Sequence, residues 1–289
     1  MIEIIFLFAL ALIWIIFATV QDLRQREVAN WLNFSLIIFA LGFRFFYGVF
    51  SEDFGLFYQG VIGFGIFFAF GNLFYYSRMF AGGDAKLMIA LGAILPVSKD
   101  LFVNVSGFFS FLMIFFISGI IYGGIWSLVL MIKNFGRFTK EFPKQFNKSK
   151  KIILIITFFA LVFLILGFYS VFYFYLSLLC LIFPYLLIFA KTIEESCMVK
   201  RVNTKDLGEG DWLYKNLKIG KSIIKANWEG LSKEDISKIR KKLDKVEIKQ
   251  GIPFVPVFLI SFLIYAYGIL LGSQSFSSLT SLFSFLTGF

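Results

Sequence analysis

Long apolar runs separated by short polar stretches dominate the pattern of this chain. A helix needs roughly 20 apolar residues to cross a bilayer, and eight segments are candidates for such spans. We therefore predict an all-α polytopic membrane protein with about eight transmembrane helices. The predicted spans cover about residues 2–20, 31–50, 54–76, 85–97 (short for a full span), 101–132, two helices within 152–190, and 251–271.

The polar segment 191–250 is predicted to form a small α+β domain before the last helix. Trp212-Leu213 and Ser222–Ile224 are typical of short strands around a turn at Gly220. Ser232–Asp235 resembles a capping box that opens a helix, and Lys245–Lys249 returns as a strand. Gly167 and Ser170 supply the turn that divides the long apolar run before this domain.

Charge placement predicts the topology. Loops rich in Lys and Arg face the cytoplasm, and the predicted basic loops all fall on one side of the membrane, which places both termini outside. Arg44, near the far end of the second span, is expected to extend its charged group toward water. The net charge of +10 is therefore interpreted as membrane topology and lipid contact, without nucleic acid binding. The basic segments lie around Arg24/Arg26, Arg78/Lys86, Lys133–Lys151 and Lys191–Lys249.

These patterns predict four parts of the chain, with a basic cytoplasmic loop at the start of the second. Residues 1–132 form a transmembrane region with two acidic residues, and 133–190 contain the basic loop and two further helices. Residues 191–250 form the small cytoplasmic domain, and 251–289 form the last helix and a Ser-rich tail.

Composition excludes several kinds of chemistry. The chain is 59% hydrophobic and 20% aromatic and contains no histidine. Ser-His and Cys-His nucleophiles and His-ligated metals are therefore excluded. Cys180 and Cys197 lie too far apart in sequence to form a CxxC motif, and we expect neither a metal site nor a cofactor.

Two aspartates stand where predicted spans meet the basic side, and acids at such positions usually have a function. Asp22 follows the first span, and Asp84 follows Gly82-Gly83 at the start of the fourth. Two facing carboxylates share a proton near neutral pH, so one is a base while the other is an acid. The alternatives are an interfacial ion pair of Asp22 with Arg24 or Arg26, and a helix N-cap role for Asp84.

Val20-Gln21-Asp22 and Ala81-Gly82-Gly83-Asp84-Ala85-Lys86 resemble the type IV prepilin peptidase family of GxGD-type intramembrane aspartyl proteases. The similarity is greatest to its archaeal branch, the preflagellin peptidases and class III signal peptidases. It implies that Asp22 and Asp84 are the catalytic pair. The substrates implied are prepilins or prearchaellins, whose short basic leader is cut at the cytoplasmic face.

The chain departs from the family pattern in three places. Ala81 replaces the first glycine of GxGD, and a literal GxGD occurs at Gly208–Asp211 within the polar segment, where we interpret it as a turn. The cysteine-rich zinc domain of many bacterial members is absent from this sequence, so the resemblance implies proteolysis without methyltransferase activity.

Supporting roles are predicted for residues near the pair. Gly82 and Gly83 allow an extended peptide to lie close to the backbone. Lys86 tunes the pair, binds headgroups or only follows the charge topology. Asn72 orients an aspartate or a substrate carbonyl, or forms a hydrogen bond between helices. Gly60, Gly63, Gly65 and Gly71 predict close packing of the third span.

Three other functions remain as alternatives to the leader peptidase. A presenilin-like protease would cut within the membrane helix of its substrate. A transporter would use the acids as an ion path, although it commonly shows repeat symmetry, which is not evident here. A non-enzymatic assembly factor is compatible with Ala81.

Overall fold

A computed structural model describes residues 2–219, 222–227 and 229–270 of the chain, with nine α-helices, one short 3₁₀ helix (Thr204–Asp206) and five short strands in these residues. The helices are α1 (Ile2–Gln25), α2 (Asn30–Ser51), α3 (Gly55–Tyr76), α4 (Gly82–Gly92), α5 (Leu101–Lys133), α6 (Phe135–Leu166), α7 (Val171–Ser196), α8 (Lys233–Arg240) and α9 (Val255–Leu270). The strands are β1 (Val199–Asn203), β2 (Trp212–Leu213), β3 (Leu217–Ile219), β4 (Ser222–Ile224) and β5 (Lys245–Lys249). The predicted Ser-rich tail lies outside the described residues.

The predicted membrane class is confirmed. Six of the helices, α1, α2, α3, α5, α6 and α7, are long and apolar enough to cross a bilayer. α9 is apolar but has 16 residues, and α4 has 11. These two shorter helices stand where the other two spans were predicted. With six helices long enough to span a bilayer, the chain is a multi-pass membrane protein.

The prediction of a basic loop at Lys133–Lys151 is wrong as to its conformation. α5 ends at Lys133, and α6 begins at Phe135 and continues through the rest of the basic segment into the apolar run that ends at Leu166. Phe138 and Phe142 lie one turn apart on this helix, and Phe138 packs against Phe189 of α7. A regular aromatic spacing therefore makes this segment helical despite its many charges.

The chain divides into two compact units, Met1–Gly123 with Pro253–Phe289, and Gly124–Ile252. In the first unit, α3 and α4 approach very closely because both carry glycine at the contact. A Cβ atom built on Gly63 would lie 2.4 Å from the Gly92 carbonyl oxygen, and one built on Gly92 would lie 2.5 Å from that of Gly63. Close packing at Gly60 and Gly71 also agrees with the prediction, whereas Gly65 faces open space.

The short helix α4 and the residues after it link the two ends of α2. Near the start of α2, Lys86 Nζ donates a hydrogen bond to Asn30 Oδ1 at 2.6 Å. Beyond the other end of α2, Lys99 forms a salt bridge with Asp53. α2 has 22 residues and is therefore about 33 Å long at 1.5 Å per residue, so residues 86–99 extend over most of this length.

Arg44 fixes the chain after α4, and the prediction that it reaches toward water is wrong. Its side chain is 2% exposed and donates four hydrogen bonds to backbone carbonyls. A cation at the end of α4 is favourable because the last carbonyls of a helix carry partial negative charge. The acceptors are the oxygens of Leu56 (3.0 Å), Ala93 (2.9 Å), Ile94 (3.0 Å) and Pro96 (2.6 Å).

A buried amide network holds the next residues of the same segment. Asn104 Oδ1 accepts hydrogen bonds from the N–H groups of Val97 and Ser98, both at 3.0 Å. Its Nδ2 donates to the carbonyl oxygen of Ser98 at 2.7 Å and to Gln59 Oε1 at 3.0 Å. Buried backbone outside regular secondary structure is stable when its polar groups are satisfied in this way.

The second unit contains a helical hairpin and a small α+β region. α6 and α7 are joined at Gly167–Ser170, as predicted, and Ser170 caps α7 through the N–H of Phe172. β1, β5 and β2 form an antiparallel sheet in that order, while β3 and β4 pair as a hairpin. The predicted capping box at Ser232 and Asp235 opens α8, and the strand at Lys245–Lys249 is confirmed.

Candidate active site

Asp22 lies in the last turn of α1 and is 6% exposed. Its Oδ2 accepts a hydrogen bond from the backbone N–H of Val255, the first residue of α9, at 2.9 Å. The first N–H groups of a helix lack intrahelical acceptors and attract a carboxylate. A helix from the far end of the sequence therefore stabilises an acid that its own helix, at its negative end, disfavours.

Arg26 supplies a positive charge beside Asp22. It follows α1 with a left-handed backbone (φ 60°), and its N–H donates to the Asp22 carbonyl oxygen at 2.9 Å. The guanidinium interacts electrostatically with the Asp22 carboxylate, while partial burial lowers the pKa of Arg26. The predicted alternative of an ion pair between Asp22 and Arg26 therefore agrees with the structure. Asp22 is also buried, however, and accepts the hydrogen bond from the first residue of α9.

Asp84 is the third residue of α4, so the alternative that it is the N-cap is wrong. Ala81 occupies the N-cap position, and its N–H donates to Asp84 Oδ2 at 3.3 Å. A carboxylate in the first turn still complements the positive end of the helix dipole. Asp84 also lies close enough to Asp22 for their charges to interact.

The two aspartates come together because the α1–α2 connection packs against the start of α4. A Cβ atom built on Gly83 would lie 3.3 Å from Val28 Cβ. Gln21 Oε1 accepts a hydrogen bond from the Ala29 N–H at 3.1 Å, which closes the connection beside Asp22. Two neighbouring carboxylates do not both ionise cheaply, so this arrangement provides one acid and one base.

The supporting residues predicted from the sequence have different positions. Gly82 and Gly83 form the first two residues of α4, and Lys86 is bound to Asn30. Asn72 donates to the Phe68 carbonyl oxygen of its own helix at 2.7 Å, and not to an aspartate or to another helix. The literal GxGD at Gly208–Asp211 is a turn, as predicted, because Asp211 Oδ2 accepts the Gly208 N–H at 2.8 Å.

Sequence reasoning missed two polar residues beside the pair. Asn33 is fully buried on α2, with its Nδ2 3.5 Å from the Gly83 carbonyl oxygen. Tyr122, on α5, interacts electrostatically with Asp22 and Arg26. Asn33 has a polar side chain inside an apolar span, a signal that could have identified it. Tyr122 has none, because it is one of 12 tyrosines in a strongly aromatic chain.

In the part of the chain that the structure describes, no three acidic or cysteine side chains lie together as a metal site would require. The fold and the site define a polytopic membrane protein with a pair of carboxylates at one end of its first unit.

Comparison with known proteins agrees with this class. Residues 9–128 match the type IV leader peptidase family, so the resemblance seen in the sequence is confirmed for this segment, which contains both aspartates. No solved structure matches the chain significantly.

Two curated relatives are similar to part of the chain. A preflagellin peptidase of Methanococcus maripaludis is 28% identical over 127 residues, which cover 42% of this chain and 55% of the relative. A preflagellin peptidase of Methanocaldococcus jannaschii is 32% identical over 89 residues, which cover 31% of this chain and 38% of the relative. The chain thus spans about half or less of the length of these relatives.

Proposed function

We propose that the chain is a membrane aspartic endopeptidase that removes the short basic leader peptide of prepilins or prearchaellins. The observation that carries this proposal is the proximity of Asp22 and Asp84 inside the segment that matches the leader peptidase family. Both curated relatives are named preflagellin peptidases, which supports the substrate class.

The mechanism that the pair supports is general acid–base hydrolysis. One carboxylate takes a proton from water, and the water oxygen attacks the carbonyl carbon of the scissile peptide. The protonated partner gives its proton to the leaving nitrogen as the C–N bond breaks. Because the pair must carry one proton, we expect the rate to fall at both low and high pH, with apparent pKa values that belong to the pair.

We further propose that the pair lies at the cytoplasmic face and that both termini lie outside. The end of the first unit that holds Asp22 and Asp84 also holds Arg24, Arg26, Arg78 and Lys86, in line with the positive-inside rule. The test is labelling of single cysteines in intact cells with a membrane-impermeant maleimide, after Cys180 and Cys197 are replaced. Glu27→Cys should be protected and Asp100→Cys labelled, and the reverse pattern would contradict this topology.

The activity is tested by incubating membranes that contain the native chain with a panel of preflagellins and prepilins. Mass spectrometry of the products locates the cut. A single cut between the basic leader and the apolar helix is expected. A cut within the apolar helix would favour the presenilin-like alternative, and no cut by the folded native chain with any substrate would contradict the proposal.

A further inference from the structure

Asn33 is a buried polar side chain against the segment that carries Asp84. It lies in the first turn of α2 with no exposed surface. Its amide nitrogen points to the carbonyl oxygen of Gly83, the residue before Asp84, at 3.5 Å. That distance is at the long end for a hydrogen bond. Bonds of this kind in substrate-free active sites are often long and shorten when the substrate is bound.

The other end of the same amide has no hydrogen-bond partner. Asn33 Oδ1 is buried and unpaired among the described residues, as is the Thr19 hydroxyl oxygen one turn before Asp22. Buried polar atoms are nearly always paired in folded proteins, so an exception calls for an explanation. Two such exceptions next to the two aspartates indicate that this region is not arranged for stability alone.

A second buried asparagine shows what a structural role looks like in this fold. Asn104 is 1% exposed, like Asn33 inside the first unit, but its oxygen accepts two backbone N–H groups and its nitrogen donates to two oxygens. Asn33 makes one long contact instead. Leucine has the same number and branching of side-chain heavy atoms as asparagine and lacks the unpaired oxygen, so burial in an apolar span by itself does not favour asparagine at position 33.

We propose that Asn33 is a positioning residue for Asp84, acting through the carbonyl group of Gly83. Gly82 and Gly83 have no side chains that anchor them, and a Cβ atom built on Gly82 would meet only the Tyr75 ring at 3.8 Å. Glycine at the start of a helix holds its backbone less firmly than other residues do. A donor on the Gly83 carbonyl adds to the hold of the first turn of α4 and sets the direction in which the Asp84 carboxyl leaves the helix. This inference rests on the proposed peptidase function.

The test compares Asn33→Leu and Asn33→Asp with the control Asn104→Leu in the purified full-length chain in lipid vesicles. Preflagellin cleavage gives kcat and KM, and thermal unfolding is measured on the same samples. For Asn33→Leu we expect a Tm close to native, kcat lowered about 10- to 100-fold by misplacement of Asp84, and KM little changed. Asn104→Leu should lower Tm while the folded fraction keeps the native kcat. If Asn104→Leu does not fold, Gln59→Leu takes its place.

Asn33→Asp separates positioning from packing. A protonated aspartic acid has nearly the shape of asparagine and donates one hydrogen bond, whereas the carboxylate only accepts. The ratio of its kcat to that of the native chain should therefore rise as the pH falls, while the ratio for Asn33→Leu stays flat.

Three outcomes would count against this role. Native kcat in Asn33→Leu would overturn the proposal, and so would a loss that only follows the unfolded fraction. A native chain that cuts no preflagellin would overturn the proposed function and this role together.

Discussion

The two ends of α4 differ in how completely their polar groups are satisfied. After its C-terminus, Arg44 and Asn104 bind the backbone of residues 93–98 through several short hydrogen bonds. At its N-terminus, the side-chain hydrogen bonds include the 3.3 Å bond within the Ala81–Asp84 turn, the long contact from Asn33 and the bond between Lys86 and Asn30. In α4, therefore, several short hydrogen bonds fix the backbone after the C-terminus, whereas, in the described residues, fewer and longer ones surround Asp84 at the N-terminus.

This difference separates structural from functional polar groups. An ionisable group within a membrane span usually indicates a functional site, and Arg44 would be a candidate on that rule. However, all four of its described hydrogen bonds go to backbone carbonyls, three of them after the end of α4, so its role is structural. Asp84 interacts instead with a like charge, Asp22, which no stability argument requires.

The largest effect is expected on the cleavage rate, from substitutions at the N-terminal end of α4 and at the neighbouring Asp22. Under the proposed function, Asp84→Asn and Asp22→Asn each remove a group that transfers a proton, so kcat should fall by about 10²–10⁴-fold or more. Asp211→Asn, in the turn of the second unit, serves as the control and should keep the native rate. Initial rates of preflagellin cleavage measure both effects. Loss of activity with Asp211→Asn alone would move the site away from α4.

The second-largest effect is expected on the free energy of unfolding, from a substitution at the C-terminal end of α4. Arg44→Met keeps most of the side-chain volume but leaves the carbonyls of Leu56, Ala93, Ile94 and Pro96 without this donor. Hydrogen bonds to charged groups contribute about 1.5–3 kcal/mol each, and we expect a total loss of about 3 kcal/mol or more after relaxation. Denaturant titration in detergent would measure it. A variant as stable as the native chain would show that Arg44 does not hold this segment.

Replacing a glycine by alanine at each end of α4 compares the two ends directly. Gly92→Ala places a methyl group 2.5 Å from the Gly63 carbonyl oxygen, so α3 and α4 must separate at a cost of about 1–3 kcal/mol. Gly82→Ala finds space and should change stability by less than about 1 kcal/mol, with any loss appearing in KM if substrate lies along this backbone. Thermal unfolding and cleavage kinetics test the pair, and equal destabilisation would contradict the comparison.

The smallest effects are expected at exposed cations near each end. Lys86→Met breaks the bond to Asn30 and should lower the free energy of unfolding by about 1 kcal/mol or less.

Lys99→Met removes the exposed partner of Asp53, whose pKa is lowered first of all by the hydrogen bond from Lys99. The stabilisation from Asp53 is therefore present above its unfolded-state pKa and is lost as the pH falls. Thermal unfolding over a pH series should show a weaker acid dependence in Lys99→Met, and an unchanged dependence would exclude this pair as its source.

Local sequence patterns determined the elements of this protein. The apolar runs located the membrane helices, because burying about 20 residues in lipid depends on composition and length. The turn at Gly167–Ser170 and the capping box at Ser232 were predictable, since both rest on residues a few positions apart. The prediction of a loop at the basic start of α6 was wrong because it relied on the many charges there and did not use the helical spacing of Phe138 and Phe142.

The tertiary structure decided which polar residues meet. Asp22 bonds to Val255, 233 positions away, and Arg44 bonds to carbonyls about 50 positions away. Asn33 reaches Gly83 across the same kind of gap. The sequence alone identified Asp22 and Asp84 as unusual acids, because a charge at a membrane helix is costly wherever it occurs. Their partners followed only from helix packing, because contacts between distant residues leave no periodic pattern along the chain.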